Sequence, residues 1–314
     1  MEGKIRFVSP LDRAIFLKSV DGLQDISARD LATLAQSVEE VRFSKGDVVT
    51  RVGERVDDSY LVVDGTLRLH LPENLGTSDF SRGDRMGMLY MLGGIEDGFH
   101  SEAVSDSVAL KLNRDSLMEL FEDHFEILHS VLRMVARRTL AIRSQIPHGS
   151  YLTASVGIAN PEDIDLTLVP RLLNMRRGFL FKRANMDALV EIARAATIQE
   201  FASGTRLWSR GQQSGFLDIL IKGKVRCEVE ENRIFHAGPG YPLGNLESQA
   251  VEPRWYDAIV EEPVIAIRNE SDILFDIFED HFDLAADYLA AAASGLLKLI
   301  LEGRRKALAS TTAA

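Results

Sequence analysis

The chain has 314 residues, too many for one typical domain and suited to two of about 150. With 46% hydrophobic and 26% charged residues it has the balance of a globular protein, and a net charge of −11 excludes the basic surface that a general nucleic-acid binder needs to neutralise phosphates. A single cysteine, Cys227, excludes an intrachain disulfide; within the alternating run Val225-Arg226-Cys227-Glu228-Val229 it reads as strand filler rather than a reactive thiol.

The opening Met1-Glu2-Gly3-Lys4-Ile5-Arg6 lacks the apolar core of a signal peptide, so a reducing cytoplasm is the expected compartment. Leu11, Ala14, Ile15 and Phe16 have helical spacing. Ser27 is placed to cap a second short helix, with Asp30 three residues on, and Leu31, Leu34, Ala35 and Val38 form its apolar face. From Glu39 the period changes to two. Val41, Phe43, Val48 and Val49 alternate with polar residues around a Lys45-Gly46-Asp47 turn. Tyr60 to Val63 reads as a buried strand, Asp64-Gly65 as a hairpin turn, and Thr66 to Leu71 as the partner strand. Val108 to Leu112 closes the strand region. Short strands at this spacing predict a barrel or sandwich, not a parallel α/β sheet. Helical periodicity returns at Arg114. Beyond it, Leu128, Val131, Leu132, Val135 and Thr139 form a stripe, and Arg133, Arg137, Arg138 and Arg143 read as a solvated face complementing the helix C-terminus.

The chain then repeats itself. Phe121-Glu122-Asp123-His124-Phe125 recurs as Phe278-Glu279-Asp280-His281-Phe282, 157 residues later. Leu31, Leu34, Ala35 and Val38 map to Leu189, Ile192, Ala193 and Ala196; Gly53 maps to Gly211, Gly65 to Gly223, and Gly87 to Gly244. The shift falls from 158 to 157 around a hairpin, a length change that a turn tolerates. The expected organisation is a domain over 1–145, a linker over 146–164, and a second domain over 165–314. No further helix pair is seen that would make a helix-turn-helix unit. Leu284 to Leu301 is broken by Asp287 and Lys298 and is expected to be a packed helix, not a membrane span.

Two short helices, a glycine-punctuated barrel of about eight strands, a short helix and a long helix resemble the cyclic nucleotide-binding domain, the sensory module of catabolite-activator-type regulators and protein kinase A regulatory subunits. The phrases carrying the likeness are FSKGDVVTRVGERVDDSYLVVDGTLRLHL and FASGTRLWSRGQQSGFLDILIKGKVRCEV. The resemblance implies a mainly β fold with α: two tandem double-stranded β-helix (jelly-roll) barrels, each flanked by N-terminal short helices and a long C-terminal helix. It also implies a ligand cassette between two late strands, roughly F-G-E-L-A-L followed by P-R-x-A. There a short helix N-terminus and the arginine hold a cyclic phosphate, the glutamate accepts from the ribose, and the long helix caps the base.

Against that pattern the first half offers Gly87 and Met88, with Met88 in place of the glutamate and Tyr90 in place of a small residue; Asp97 stands ten residues after Gly87. A slightly longer loop would bring His100 to the arginine position. The second half offers Gly244, Asn245, Leu246, Arg254 and Trp255, with Pro253-Arg254 at the family distance and Glu247 at the small-residue position. The first half is therefore expected to be ligand-free. In the second, Arg254 either serves a ligand or forms a salt bridge with Glu247 or Glu252.

A metal-dependent cupin would need H-x-H with a further glutamate and histidine. His70, His100, His124, His129, His148, His236 and His281 show no such spacing, so no metal ligand and no cofactor are expected. With no nucleophile elbow, P-loop or CxxC pair, the chain reads as a non-enzyme. Two readings stay open: a regulator that works through a protein partner, or a sensor that binds a cyclic nucleotide in its second half. Leu289, Leu296, Ile300, Ala292 and Ala293 offer a face through which the long helix would pair with a copy of itself in a homodimer; neither nucleic acid nor membrane is an expected partner.

Overall fold

The computed structural model describes residues 9–20, 23–24, 26–145, 167–177, 181–182, 184–230 and 233–312; the expected linker, 146–164, lies outside them. The first repeat opens with α1 (Pro10–Lys18), started by a capping box between Ser9 and Asp12, and α2 (Ala28–Ser37), where the Ser27 side chain accepts from the Asp30 amide. Eight strands follow: β1 (Glu39–Phe43), β2 (Val48–Thr50), β3 (Asp58–Asp64), β4 (Leu67–His70), β5 (Thr77–Phe80), β6 (Arg85–Met86), β7 (His100–Ala103) and β8 (Ser107–Asn113). Between β6 and β7 lies α3 (Met88–Gly93); after β8 come α4 (Arg114–Asp123) and α5 (Phe125–Gln145).

The strands form two antiparallel four-stranded sheets, ordered β1-β8-β3-β6 and β2-β7-β4-β5, which is the expected jelly roll. Alternation decides the faces. Leu67 and Leu69 of β4 are buried, while Arg68 and His70 face outward. Val62, Met86, Met91 and Ala109 are fully buried in the core, each large side chain there stabilising the fold by about 1.5–3 kcal/mol.

The second repeat comprises α6 (Leu168–Arg177), α7 (Met186–Ala195), β9 (Thr197–Phe201), β10 (Arg206–Trp208), β11 (Phe216–Glu230), β12 (Arg233–Ala237), β13 (Pro242–Leu243), α8 (Asn245–Ala250), β14 (Asp257–Glu270), α9 (Ser271–Asp280) and α10 (Phe282–Thr312). Here β11 runs through what is β3 and β4 in the first copy, and β14 through β7 and β8. The register preserves the duplication: His70 pairs with His100 and Arg68 with Glu102, as Glu228 pairs with Asp257 and Arg226 with Ile259. Even a long-range anchor is repeated. Arg13 donates to the carbonyls of Ala35 and Val38, and Arg171 to those of Ala193 and Ala196. Cys227 is fully buried on β11, its thiol pushed well up by desolvation, as its filler role requires.

The repeated pentapeptide forms a joint in each copy. His124 caps the C-terminus of α4 with its Nδ1 3.1 Å from Asp30, and His281 caps α9 with its Nε2 2.7 Å from Glu191.

The chain forms two compact units, Met1–Val131 with Ala293–Ala314, and Leu132–Ala292. Both long helices therefore change unit along their length. In the first unit the end of α10 reaches the β4–β5 connection, where Arg305 makes a two-pronged pair with Glu73 at 2.8 and 2.9 Å. In the second, Arg137 of α5 donates to the Ala250 carbonyl and pairs with Glu252, both at 3.3 Å, and Arg143 donates to the Tyr241 hydroxyl at 3.4 Å. The expectation of a merely solvated arginine face fails for these two residues, because protein acceptors at the end of α8 and at Tyr241 engage them. On α10, Phe282–Ala309 is long and apolar enough to cross a membrane by length and composition. Leu284, Ala285, Tyr288, Leu289, Ala293 and Leu296 on it are buried within the protein, and 44% of its most apolar window is buried.

Candidate functional site

The two cassettes share one backbone. Gly87 and Gly244, at φ 84° and 79°, are the left-handed N-caps of α3 and α8, and both helices close on a left-handed residue, Gly94 or Val251. The following loops also agree. The Gly53 amide donates to the Asp97 carbonyl at 2.8 Å, and the Gly211 amide to the Arg254 carbonyl at 2.8 Å. Asp97, then, occupies the position of Arg254. The expectation that His100 could slip into that place is corrected: His100 lies on β7, beside His70 and away from the cassette.

In the first cassette the space is filled by aromatic side chains. Phe99, 2% exposed, packs under Gly87 and meets the Tyr90 ring at a tilt of 52°, with ring centroids 4.5 Å apart. The buried Tyr90 hydroxyl has no hydrogen-bond partner, and desolvation raises its pKa. Met88 is half-buried and Asp97 exposed. A carboxylate at the arginine position repels a phosphate, and Met88 offers no acceptor to a ribose hydroxyl.

The second cassette keeps polar groups, and the protein's own atoms engage them. Arg254 is 1% exposed. It donates to the Gly244 carbonyl at 3.0 Å and to the Phe216 carbonyl at 2.9 Å. Its guanidinium lies 4.1 Å from the Trp208 ring centroid and 4.7 Å from that of Phe216. Phe216 carries a second guanidinium, Arg268, at 3.6 Å, which forks onto the fully buried Asp218 with two 2.8 Å bonds. Neither carboxylate expected to pair with Arg254 receives its hydrogen bonds: Glu252 is turned to Arg137. Asn245 accepts a 2.6 Å hydrogen bond from the Tyr288 hydroxyl of α10, which engages one of the two lone pairs of the oxygen that would meet a ribose. The Gly244 amide donates to the Tyr256 hydroxyl at 3.2 Å. Leu246 is half-buried, and Trp255 stacks on Phe235 at 5.6 Å.

Burial pushes the Glu247 carboxyl above the usual carboxylate range, against Arg254, Arg143 and the Tyr256 hydroxyl, which pull it down. Its Oε1 and both amide atoms of Gln249 are buried without a partner. The sequence gives no sign of Tyr288 or Trp208 in this site. Both come from elements far along the chain, and only the fold brings them to α8.

The fold thus defines a mainly β protein with two jelly-roll barrels, each bearing a glycine-started cassette helix and jointed C-terminal helices. Residues 40–124 match the family model of the cyclic nucleotide-binding domain, and the second half of the chain repeats that domain's element order. The chain is similar to the regulatory subunit of a cAMP-independent protein kinase A from Trypanosoma brucei, at 16% identity over 90% of each chain and a TM-score of 0.34. It is similar to the regulatory domain of Toxoplasma gondii protein kinase A crystallised with cAMP, at 15% identity over 91% of this chain and 96% of that one, with a TM-score of 0.34. The N-terminal domain of a transcriptional regulator from Streptomyces coelicolor A3(2) is 21% identical over 43% of this chain and 99% of its own, with a TM-score of 0.37. No curated protein matches the sequence significantly.

Proposed function

We propose that the protein is a non-enzymatic regulator whose two cyclic nucleotide-binding folds work without cyclic nucleotide and act in the cytoplasm through a protein partner. The observation that carries this reading is Arg254. Both of its described hydrogen bonds go to backbone carbonyls, and Trp208 and Phe216 flank it. Releasing it to a phosphate would give up two hydrogen bonds from a charged donor, about 1.5–3 kcal/mol each, and both ring contacts, while Ser248 keeps donating to the two carbonyls. Tyr288 on Asn245 and Asp97 in the first cassette support the same reading. Pairing of two copies through α10 is disfavoured, since Leu289 and Leu296 are each 1% exposed within one chain.

The unpartnered Glu247 Oε1 and Gln249 amide favour a second reading, in which the second cassette holds a small polar ligand. Calorimetric titration of the full chain with cyclic AMP and cyclic GMP separates the two. The expected result is no saturable heat up to millimolar nucleotide. Saturable one-to-one binding that Arg254→Ala abolishes would establish the sensor instead.

A further inference from the structure

We propose that His70, His100 and Glu102 form a binding site for a divalent transition-metal ion of the zinc class on the outer face of the first barrel. The three come together through strand register. His70 of β4 is directly opposite His100 of β7, and Glu102 lies two residues along β7 on the same face. Leu67, Leu69, Ser101 and Ala103 point inward and are buried, which sends the three polar side chains outward, each half-buried. One ligand atom from each lies within 4.8 Å of the other two. His70 Nε2 is 3.2 Å from Glu102 Oε1, and the two imidazole centroids are 4.9 Å apart. An ion bonded to nitrogen and oxygen at about 2.0–2.2 Å holds its ligands roughly 3–3.5 Å apart. Rotamer adjustments on the order of 1 Å close the set, with water completing the shell.

The neighbouring charges favour a cation here. Arg68, paired across the strands with Glu102, is the competing positive group, but its fork closes on Asp79 at 2.6 and 2.7 Å. Glu102 is left facing the histidines. The second barrel shows that the fold itself does not demand this set. The equivalent register positions hold Glu228, Asp257 and Ile259; Glu228 pairs with Arg226 at 3.0 Å, and Asp257 with Arg206 at 2.8 Å. Two imidazoles and one carboxylate suit borderline ions such as Zn²⁺, Co²⁺ and Ni²⁺; Mg²⁺ and Ca²⁺ prefer all-oxygen shells. A bound ion would clamp β4 to β7.

The sequence hides this site because β5, β6 and α3 lie between His70 and His100. The only linear signal is His100-Ser101-Glu102, the period-two spacing that puts two ligands on one face of a strand.

The test uses the full chain, stripped with a chelator and titrated with Zn²⁺ by calorimetry, and with Co²⁺ by visible absorption. Removing a direct ligand should weaken binding at least as much as the ~10–100-fold attributed to outer-shell partners. Expected is one saturable site whose affinity falls by more than about tenfold in His70→Ala, in His100→Ala and in the isosteric Glu102→Gln. The Co²⁺ absorption band should be lost in all three. His236→Ala, which removes the histidine paired with Glu261 in the second barrel, should change neither. The proposal falls if Zn²⁺ fails to bind the intact chain, or if binding survives unchanged in folded Glu102→Gln and His100→Ala, with folding checked by circular dichroism.

Discussion

Glu247 is 2% exposed on α8, among Arg254, Arg143 and Tyr256. Desolvation there outweighs the cations, so its pKa lies above the ordinary value of 4.5. A raised folded pKa means that the folded state holds the proton more tightly than the unfolded state. The associated stability is present below pH 4.5 and is lost as pH rises through the raised value. Glu247→Gln, an isostere of the protonated carboxyl, should therefore be more stable than the parent in urea at pH 7.5. The gap should close at pH 4; a gap that grows on acidification would contradict this account. The sequence puts Arg254 ten residues after Gly244, and its guanidinium donates to the Gly244 carbonyl. Its direction is illegible, because Trp208 and Phe216 on distant strands set it, and no local pattern links them to α8. His100 was misplaced for a related reason: counting along the loop cannot see that Gly53 grips the Asp97 carbonyl.

At the scale of elements, the duplication made most of the fold readable. The buried run Tyr60 to Val63 became β3, the alternating run after it became β4, Ser27 became a cap, and Gly65 and Gly223 became bends at φ 78° and 89°. A Cβ on Gly223 would run into the Pro263 carbonyl oxygen, whereas one on Gly46, at φ 92°, meets nothing within 4 Å. Both substitutions to alanine carry the left-handed penalty of about 1–2 kcal/mol. Gly223→Ala adds a backbone clash and should cost clearly more than Gly46→Ala in thermal unfolding. Equal costs would mean that the close approach at Gly223 relaxes without strain. Burial is less legible than type: β3 reads as a strand, but that Ser59 on it is buried beside Val62 and Val63 follows from packing on both faces.

At the scale of the whole molecule, the sequence shows two equal halves, and the compact units cut them differently. Ser294 of α10 lies against α3, where a Cβ on Gly93 would come within 3.3 Å of the Ser294 nitrogen, and Arg305 ties the same helix to Glu73. Hydrophobic periodicity marks α10 as packed but cannot say against which barrel. Ending the chain at Ala292 removes Leu296, Leu297 and Leu299, all buried, from the unit containing the first barrel. Such a truncation should lower the melting temperature of that unit while β9 to β14 keep their hydrogen-exchange protection. Preferential loss of protection in the second barrel would refute the assignment. Because each repeat lends part of its long helix to the unit built around the other, a backbone nick between them would not free two self-sufficient halves. Each fragment would carry a helix end that belongs with the other and a barrel that lacks one. The fragments would complement each other, and the peptide link would serve chiefly to set their effective concentration.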